Sequence, residues 1–306
     1  MIVAHHQFDF LARLLALLDD ERNDIFVHVD ASASEFDREA REALEASVTK
    51  GSLTFTERIA VHWGGYSVVA AEMILLRAAA AHEHAYYHLL SGSDLPLGSQ
   101  DEIHDFFDRH DGEEFVHFFL ENDVDVEGRV KYFHPFQEVG GKDPGHLTGK
   151  AGYAFLRLQQ LLGVDRQARR PGSVRHGSAW FSITGEFARY VLARAGAIRR
   201  EYRMTLCPDE QFVQSLIWNS PFRDRLHKDP ADGGHSANAR LIDWRRGSLY
   251  SPYTFRDSDF DELTGSDALF ARKFDLDVDR VVVDRVQGWV ASNSERRAGR
   301  SDGRAS

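Results

Sequence analysis

The chain has 306 residues, 42% of them hydrophobic, which suits one large α/β domain with a substantial core. Its formal net charge of −11 argues against a broad nucleic-acid-binding surface. The single cysteine, Cys207, excludes an intrachain disulfide and agrees with a reducing compartment. No apolar run reaches the roughly 20 residues of a bilayer-spanning helix, and no basic segment precedes the first apolar run. We therefore expect a cytoplasmic protein without a transmembrane segment. Peripheral association with a membrane is compatible with this composition.

The first thirty residues predict a parallel sheet. An apolar strand at 2–6 is followed by a helical pattern at 8–18, with leucines on one face, and by a second strand at 25–30. Strand, helix and strand in this order form a βαβ unit. Because ligands bind such sheets beyond the carboxyl ends of the strands, His5 and Asp30 are candidate binding residues.

Similar alternation continues along the chain. The further predicted elements are a strand at 52–55, a glycine-bearing loop at 61–67, a helix at 68–81, strands at 86–90 and 115–119, a long loop at 121–150 and a helix at 152–162. A short extended segment is expected at 240–244, and a terminal helix reaches about residue 290. These patterns predict one domain over residues 1–290 and, from its polar composition, a disordered tail over residues 291–306.

The sequence around Glu210 predicts the start of a helix. Pro208 suits a first helical turn, where acidic residues complement the helix dipole, and apolar residues then recur at helical spacing over 212–217. A turn of small residues near Ser178 allows backbone to approach a ligand closely. A carboxylate held rigidly beside such a turn can act as a general base. The alternative is that Glu210 only caps a helix.

Four short motifs occur in the same order as in one known family. They are LLSGSDLP at 89–96, GSAWF at 177–181, PDE at 208–210 and LFARKFD at 269–275. Together with the βαβ opening, they make the sequence resemble the Core-2/I-branching glycosyltransferases over residues 2–281. That family includes β-1,6-N-acetylglucosaminyltransferases and protein O-xylosyltransferases.

The resemblance implies a GT-A-like single domain, with a mainly parallel central sheet flanked by helices. It also implies an inverting, metal-independent transfer of GlcNAc or xylose from a UDP-sugar donor to a glycan or glycoconjugate acceptor, with no cofactor besides the donor. By position, Glu210 matches the catalytic base and Lys273 matches a basic residue on the donor diphosphate. The donor sugar and the acceptor stay open at this point.

Further residues are matched by position. Those expected near the uridine are Val3, His5, Asp30 and Trp63. Those expected near the donor sugar or the acceptor are Asp94, Ser178 and Trp244. Where the family often has a second diphosphate-binding cation, this chain has Tyr253. We expect Arg256 to replace that cation, with Arg245 or Arg246 as alternatives.

No metal site is predicted. Most GT-A enzymes hold a metal with an Asp-X-Asp motif after an apolar strand, but here the matching strand ends in Ser-Gly-Ser-Asp, which leaves one acid too few. Asp-X-Asp strings at 123–125, 257–259 and 277–279 are interpreted as loop or cap residues. Fifteen histidines leave a metal-dependent hydrolase as a weaker alternative, and a nucleotide-sugar-binding protein without turnover as another.

Overall fold

The structure is a computed structural model that describes residues 1–119, 126–139, 147–168, 173–229, 235–248 and 251–302. The strands are β1 (Ile2–Ala4), β2 (Asp24–Val29), β3 (Ser52–Phe55), β4 (Tyr86–His88), β5 (Leu90–Ser91), β6 (Asp94–Pro96), β7 (Phe115–Val116), β8 (Phe181–Thr184), β9 (Arg240–Ile242) and β10 (Phe270–Arg272). The helices are α1 (Phe8–Leu18), α2 (Arg38–Ala46), α3 (Tyr66–Ala79), α4 (Gln100–Arg109), α5 (Val126–Lys131), α6 (Leu147–Leu161), α7 (Gly185–Ala193), α8 (Ala195–Tyr202), α9 (Phe212–Trp218), α10 (Phe260–Thr264) and α11 (Arg280–Asp302). Short 3-10 helices lie at Gln137–Val139, Pro208–Glu210, Pro221–Arg225, His235–Asn238 and Asp257–Asp259.

The central sheet has the strand order β3-β2-β1-β5, and its neighbouring strands are parallel. Its β2 reads Asp-Ile-Phe-Val-His-Val and is buried after the first residue, as a strand covered on both faces must be. The α1 helix packs its buried leucines against this sheet. The predicted α/β class, with a parallel central sheet flanked by helices, is confirmed.

Two smaller sheets complete the domain. One has the order β4-β8-β7 and is antiparallel. In the other, β10 pairs antiparallel with β6 and parallel with β9. The amide of Phe274 donates to the carbonyl of Ser93 at 2.9 Å, which fixes the segment after β10 against the turn that follows β5. Lys273 therefore emerges beside the carboxyl end of a central strand.

Three predicted elements differ in detail. The described parts of the predicted loop at 121–150 include α5 and the start of α6, because glycines and charges there hide the helical periodicity. Glu210 lies in a 3-10 helix rather than in the first turn of α9. The α11 helix continues to Asp302, through most of the segment that composition predicts to be disordered.

The Asp-X-Asp strings that the structure describes serve as caps. Asp259 accepts a hydrogen bond from the amide of Arg256 at 2.8 Å, and Asp279 accepts from the amides of Asp257 at 2.9 Å and Val282 at 3.2 Å. The cap interpretation of these two strings is confirmed, whereas the string at 123–125 lies outside the described residues. None of the described helices is long and apolar enough to cross a membrane.

Candidate active site

A cleft of about 1620 Å³ opens at the carboxyl ends of β1, β2 and β5. It has the position that ligand sites take in parallel α/β sheets. The predicted site residues that line it are Val3, His5, Asp30, Trp63, Ser178, Glu210, Trp244 and Lys273. Asp94 and Arg256 do not line it. The fold thus brings together most of the residues that the sequence singles out, from strands and loops far apart in the chain.

At one end of the cleft, Asp30 follows β2 and is 7% exposed. One of its oxygens accepts from the amide of Ser32 at 2.8 Å and from its hydroxyl at 2.7 Å; the other accepts from the amide of Val61 at 3.3 Å. These bonds join the end of β2 to the loop that carries Trp63, which is 42% exposed. The neighbouring His5 has a lowered pKa, mainly because it is partly buried, so it is neutral at pH 7. This end offers a fixed carboxylate, a neutral imidazole and an aromatic surface to a polar ring.

The second part of the cleft is cationic. Arg272 and Lys273, at the end of β10, both line it. The Arg272 guanidinium lies 4.2 Å from the ring centre of Trp180 and donates to the hydroxyl of Ser91 at 2.8 Å. Its Nε atom is buried without a hydrogen-bond partner among the described residues. A rigid cation beside Lys273 is suited to binding an anionic group such as a diphosphate.

Asp94 has a different place from the one expected. It is 2% exposed and lies behind Arg272, which donates to its carboxylate at 3.1 Å. It also accepts from the amide and the hydroxyl of Ser91, at 2.9 and 2.6 Å. Asp94 therefore does not line the cleft in this structure, and its oxygens contact Ser91 and Arg272. Sequence reasoning missed Arg272, although it directly precedes Lys273 at the end of an apolar strand.

The prediction for Arg256 also has to be corrected. Its amide caps the 3-10 helix Asp257–Asp259 and its side chain is exposed outside the cleft. Of the two alternatives, Arg246 is held by Asp243, Asp259 and Glu262. Arg245 does line the cleft. Arg245 and Arg272 therefore line the cleft with Lys273, and Arg256 does not.

At the acidic end, Glu210 is held from several directions. Its Oε2 atom lies 2.5 Å from Arg129 Nη1 and 3.7 Å from His176 Nε2. Its carbonyl accepts from the amide of Gly177 at 2.9 Å, which joins the PDE segment to the GSAWF segment. A Cβ on Gly177 would lie 1.8 Å from the carbonyl oxygen of His117, so this close approach requires glycine. The small-residue turn predicted from sequence thus brings backbone up to the catalytic candidate.

Burial sets the electrostatics of this end. It raises the pKa of Glu210, while Arg129 opposes that rise. It raises the pKa of Asp209 to about 7, helped by the charge of Glu210, and it raises the pKa of Glu72 well above its usual range. Burial and Arg129 together lower the pKa of His176 to about 3, so its imidazole is neutral. Burial thus favours the protonated form of Glu72, and Arg129 favours the ionised form of Glu210.

Two of these residues, Arg129 and Glu72, were not predicted from the sequence. Arg129 belongs to the stretch interpreted as a long loop, and nothing in its surroundings links it to a glutamate 81 positions away. Glu72 lies within the apolar α3 helix, where it is 4% exposed and one oxygen has no partner among the described residues. A single acid on the buried side of an apolar helix is a signal that could have identified it.

Ser178 and Trp244 also line the cleft. The carbonyl of Ser178 accepts from Gln214 Nε2 at 2.7 Å, and its hydroxyl accepts from the amide of Trp180 at 3.3 Å. Ser178 is 6% exposed, and the hydrogen bond from Gln214 fixes its backbone to α9. A fixed polar wall next to an indole is suited to binding sugar hydroxyls and a sugar face.

Residues 1–265 match the sequence model of the family described as Core-2/I-Branching enzyme. The chain belongs to this family. It is 24% identical over 290 residues to N-acetyllactosaminide beta-1,6-N-acetylglucosaminyl-transferase of Mus musculus, covering 90% of this chain and 68% of that protein. It is 22% identical over 311 residues to xylosyltransferase 1 of Canis lupus familiaris, covering 92% of this chain but 29% of that protein.

Among solved structures, the apo form of mouse xyloside xylosyltransferase 1 matches with a TM-score of 0.34 and 11% identity, over 88% of this chain and 95% of that one. The relatives of this Core-2/I-Branching chain are named as glycosyltransferases, so the resemblance seen in the motifs and the prediction of an enzyme are confirmed. No set of three His, Cys, Asp or Glu side chains that could share a metal lies in the described part of the cleft.

Proposed function

We propose that the chain is an inverting, metal-independent glycosyltransferase that transfers GlcNAc or xylose from a UDP-sugar to a glycan or glycoconjugate acceptor. The observation that carries this proposal is the pairing of Glu210 with Arg129 in the same cleft as Arg272 and Lys273. One end supplies a base for the acceptor, and the other supplies positive charge for a departing diphosphate. The family membership supports sugar transfer as the reaction.

In the proposed reaction, the donor lies across the cleft. Its uridine contacts the end that contains Val3, His5, Asp30 and Trp63, and its diphosphate contacts Lys273 and Arg272. Negative charge builds up on the diphosphate as the bond to the anomeric carbon breaks, and fixed cations stabilise that charge in the transition state. Because Asp94 and Trp180 already hold the Arg272 guanidinium, little reorganisation is needed at that moment.

At the other end, Glu210 acts on the acceptor. The described contacts of its carboxylate are made by Oε2, so we assign Oε1 to the acceptor hydroxyl. The hydroxyl oxygen attacks the anomeric carbon and its proton passes to Oε1, while the electron pair of the breaking bond leaves with UDP. A single displacement of this kind inverts the anomeric centre. The ion pair with Arg129 favours the ionised carboxylate and opposes the rise in the pKa of Glu210 that burial causes.

A donor screen with product analysis tests this function. The purified protein is incubated with UDP-GlcNAc, UDP-xylose and UDP-glucose, each with and without glycan acceptors, and free UDP is measured. We expect acceptor-dependent UDP release with one of the first two donors and a β-linked product by NMR. Tight donor binding without UDP release would favour a binding protein, and sugar transfer to water alone would favour a hydrolase. Either result would overturn the proposal.

A further inference from the structure

A cluster of two histidines and one glutamate lies outside the cleft. His110 ends α4, Glu113 precedes β7 and His227 follows the 3-10 helix Pro221–Arg225. Glu113 Oε2 lies 2.6 Å from His227 Nδ1 and 3.3 Å from His110 Nδ1. One ligand atom from each of the three residues lies within 4.8 Å of the other two. None of the three lines the cleft, and the proposed transfer reaction uses none of them.

The backbone of the cluster is fixed from two sides. The hydroxyl of Tyr86 donates to the carbonyls of His110 at 2.5 Å and Glu113 at 3.1 Å. The amide of His227 donates to the carbonyl of Glu114 at 3.0 Å, and the amide of Glu114 donates to the carbonyl of Arg225 at 2.7 Å. Both sides of the cluster are therefore joined by hydrogen bonds that do not depend on the three side chains.

The imidazole rings are also held in place. The His227 ring stacks on Phe115 with ring centres 4.4 Å apart, and the His110 ring packs on Phe106 at 4.6 Å. The two imidazoles meet edge to face at 4.8 Å. Aromatic walls of this kind limit ring rotation, so the ligand atoms are directed toward one point before any ion arrives.

We propose that His110, Glu113 and His227 bind one divalent transition-metal ion, with Zn²⁺ the best match. Two imidazoles and one carboxylate are among the ligand types that zinc takes in proteins. Mg²⁺ and Ca²⁺ fit poorly, because they require several oxygen ligands and the cluster offers one carboxylate. This site is separate from the cleft proposed for sugar transfer, so its test does not depend on the proposed function.

The two ligand-atom distances to Glu113 can be compared with those of a tetrahedral zinc site. Bonds of roughly 2.0–2.2 Å place two ligand atoms about 3.4 Å apart. The pair Glu113–His110, at 3.3 Å, already has this separation. The pair Glu113–His227, at 2.6 Å, would open slightly as its hydrogen bond is replaced by two metal bonds. Glu113 and His110 are 39% and 32% exposed, which leaves an entry path and a fourth position for water.

A metal here would join two segments that are distant in sequence. His110 and Glu113 flank the turn between α4 and β7, and His227 lies 114 positions after Glu113. The strand β7 then leads to His117 and Phe119, whose rings are 4.9 Å apart, and Phe119 lines the cleft. The ion would therefore stabilise the support of the cleft wall, and its removal would lower thermal stability while leaving turnover per folded molecule unchanged.

The competing interpretation is an ordinary ion pair between Glu113 and protonated histidines. Untagged protein is treated with EDTA, dialysed, and titrated with ZnCl₂ by calorimetry, with metal content measured by mass spectrometry. We expect one Zn²⁺ per chain and a higher melting temperature with zinc. His227→Gln and Glu113→Gln should weaken binding by more than the roughly 10- to 100-fold ascribed to loss of an outer partner. His82→Gln, an exposed histidine outside the cluster, is the matched control and should bind normally.

Absence of stoichiometric zinc binding to the unchanged protein would overturn the proposal. So would zinc affinities of His227→Gln and Glu113→Gln that equal the affinity of the unchanged protein. If either variant is unstable, cobalt binding to the unchanged protein decides. Co²⁺ in a tetrahedral site of this composition gives strong visible absorption, which one equivalent of Zn²⁺ should abolish. Weak absorption of the kind given by octahedral Co²⁺ would contradict the site.

Discussion

The two charged ends of the cleft use the same type of ion pair in opposite ways. In the pair Arg272–Asp94, the carboxylate is 2% exposed and the arginine 14%, so the acid holds a cation at the cleft wall. In the pair Arg129–Glu210, the two side chains are 23% and 24% exposed, and the cation lowers the pKa of an acid whose burial raises it. The first pair is therefore a fixed part of the structure, whereas the second is open to an incoming acceptor. Substitution of Glu210 should therefore lower turnover, whereas substitution of Asp94 should lower stability.

The largest expected effect is that of Glu210→Gln at the open pair. The amide keeps the size of the side chain but cannot take a proton, so turnover should fall by roughly 100- to 10,000-fold while donor affinity persists. Steady-state kinetics and UDP-sugar calorimetry on the same preparation measure both. Glu186→Gln changes an exposed carboxylate that is paired with Arg225 and should behave like the unchanged protein. Near-normal turnover, with a loss of stability of on the order of 1 kcal/mol, would instead show that Glu210 only caps a helix.

At the fixed pair, Asp94→Asn should chiefly reduce stability. It leaves the part-buried Arg272 without its charged partner, and breaking a buried pair costs up to about 3–5 kcal/mol. Chemical denaturation measures the loss. The control is Asp101→Asn, which breaks an exposed pair with Arg22 and should cost little. An equal loss in both variants would mean that Asp94 is no more important to the fold than a surface acid.

Lys273→Ala separates binding from folding at the cationic end. Loss of a charged hydrogen bond to the diphosphate should weaken UDP binding by about 1.5–3 kcal/mol, and the difference should shrink at high salt because ions screen the contact. Calorimetry with UDP at low and high salt gives the result. The exposed Lys50→Ala is the matched control. Unchanged UDP affinity at low salt would remove Lys273 from the proposed site.

The smallest effect is a shift in pH dependence. Burial raises the pKa of Glu210 and Arg129 lowers it. The base works only when ionised, so turnover should decline as pH falls through this pKa. Arg129→Gln removes the opposing charge, the pKa rises further, and the acidic limb of the profile of turnover against pH should move to higher pH. Arg200→Gln, on the exposed side of α8, should leave the limb in place. Movement toward lower pH would contradict the ion-pair account.

Local sequence patterns predicted the sheet but not the partners of the charged side chains. The apolar strands and the turn at 177–181 predicted the sheet, because local patterns determine strands and strand ends. In the structure, Glu210, Asp30 and Lys273 all line the cleft at the strand ends. The partners were not predictable. Arg129 and Glu210 are 81 positions apart, and Arg272 and Asp94 are 178 apart. Only the assembled fold decides which charges meet.

Local packing decided the remaining differences. Arg256 is exposed outside the cleft and its amide donates to the carboxylate of Asp259, a local arrangement that no single-residue pattern reveals. Asp94 is inside because two hydrogen bonds from Ser91 fold the turn back on itself. The roles of Val3, His5, Asp30 and Trp63 toward uridine, and those of Ser178 and Trp244 toward the sugars, stay predictions.

The central claim is that arginine and lysine, rather than a metal ion, carry the charge of the leaving diphosphate. Initial rates of acceptor-dependent UDP release, measured in excess EDTA and then with added Mn²⁺, test it most directly. The assay runs well below the melting temperature, so that any stabilising ion at His110, Glu113 and His227 does not affect the folded fraction. We expect equal rates in both conditions. Complete loss of activity in EDTA, restored by Mn²⁺, would contradict it.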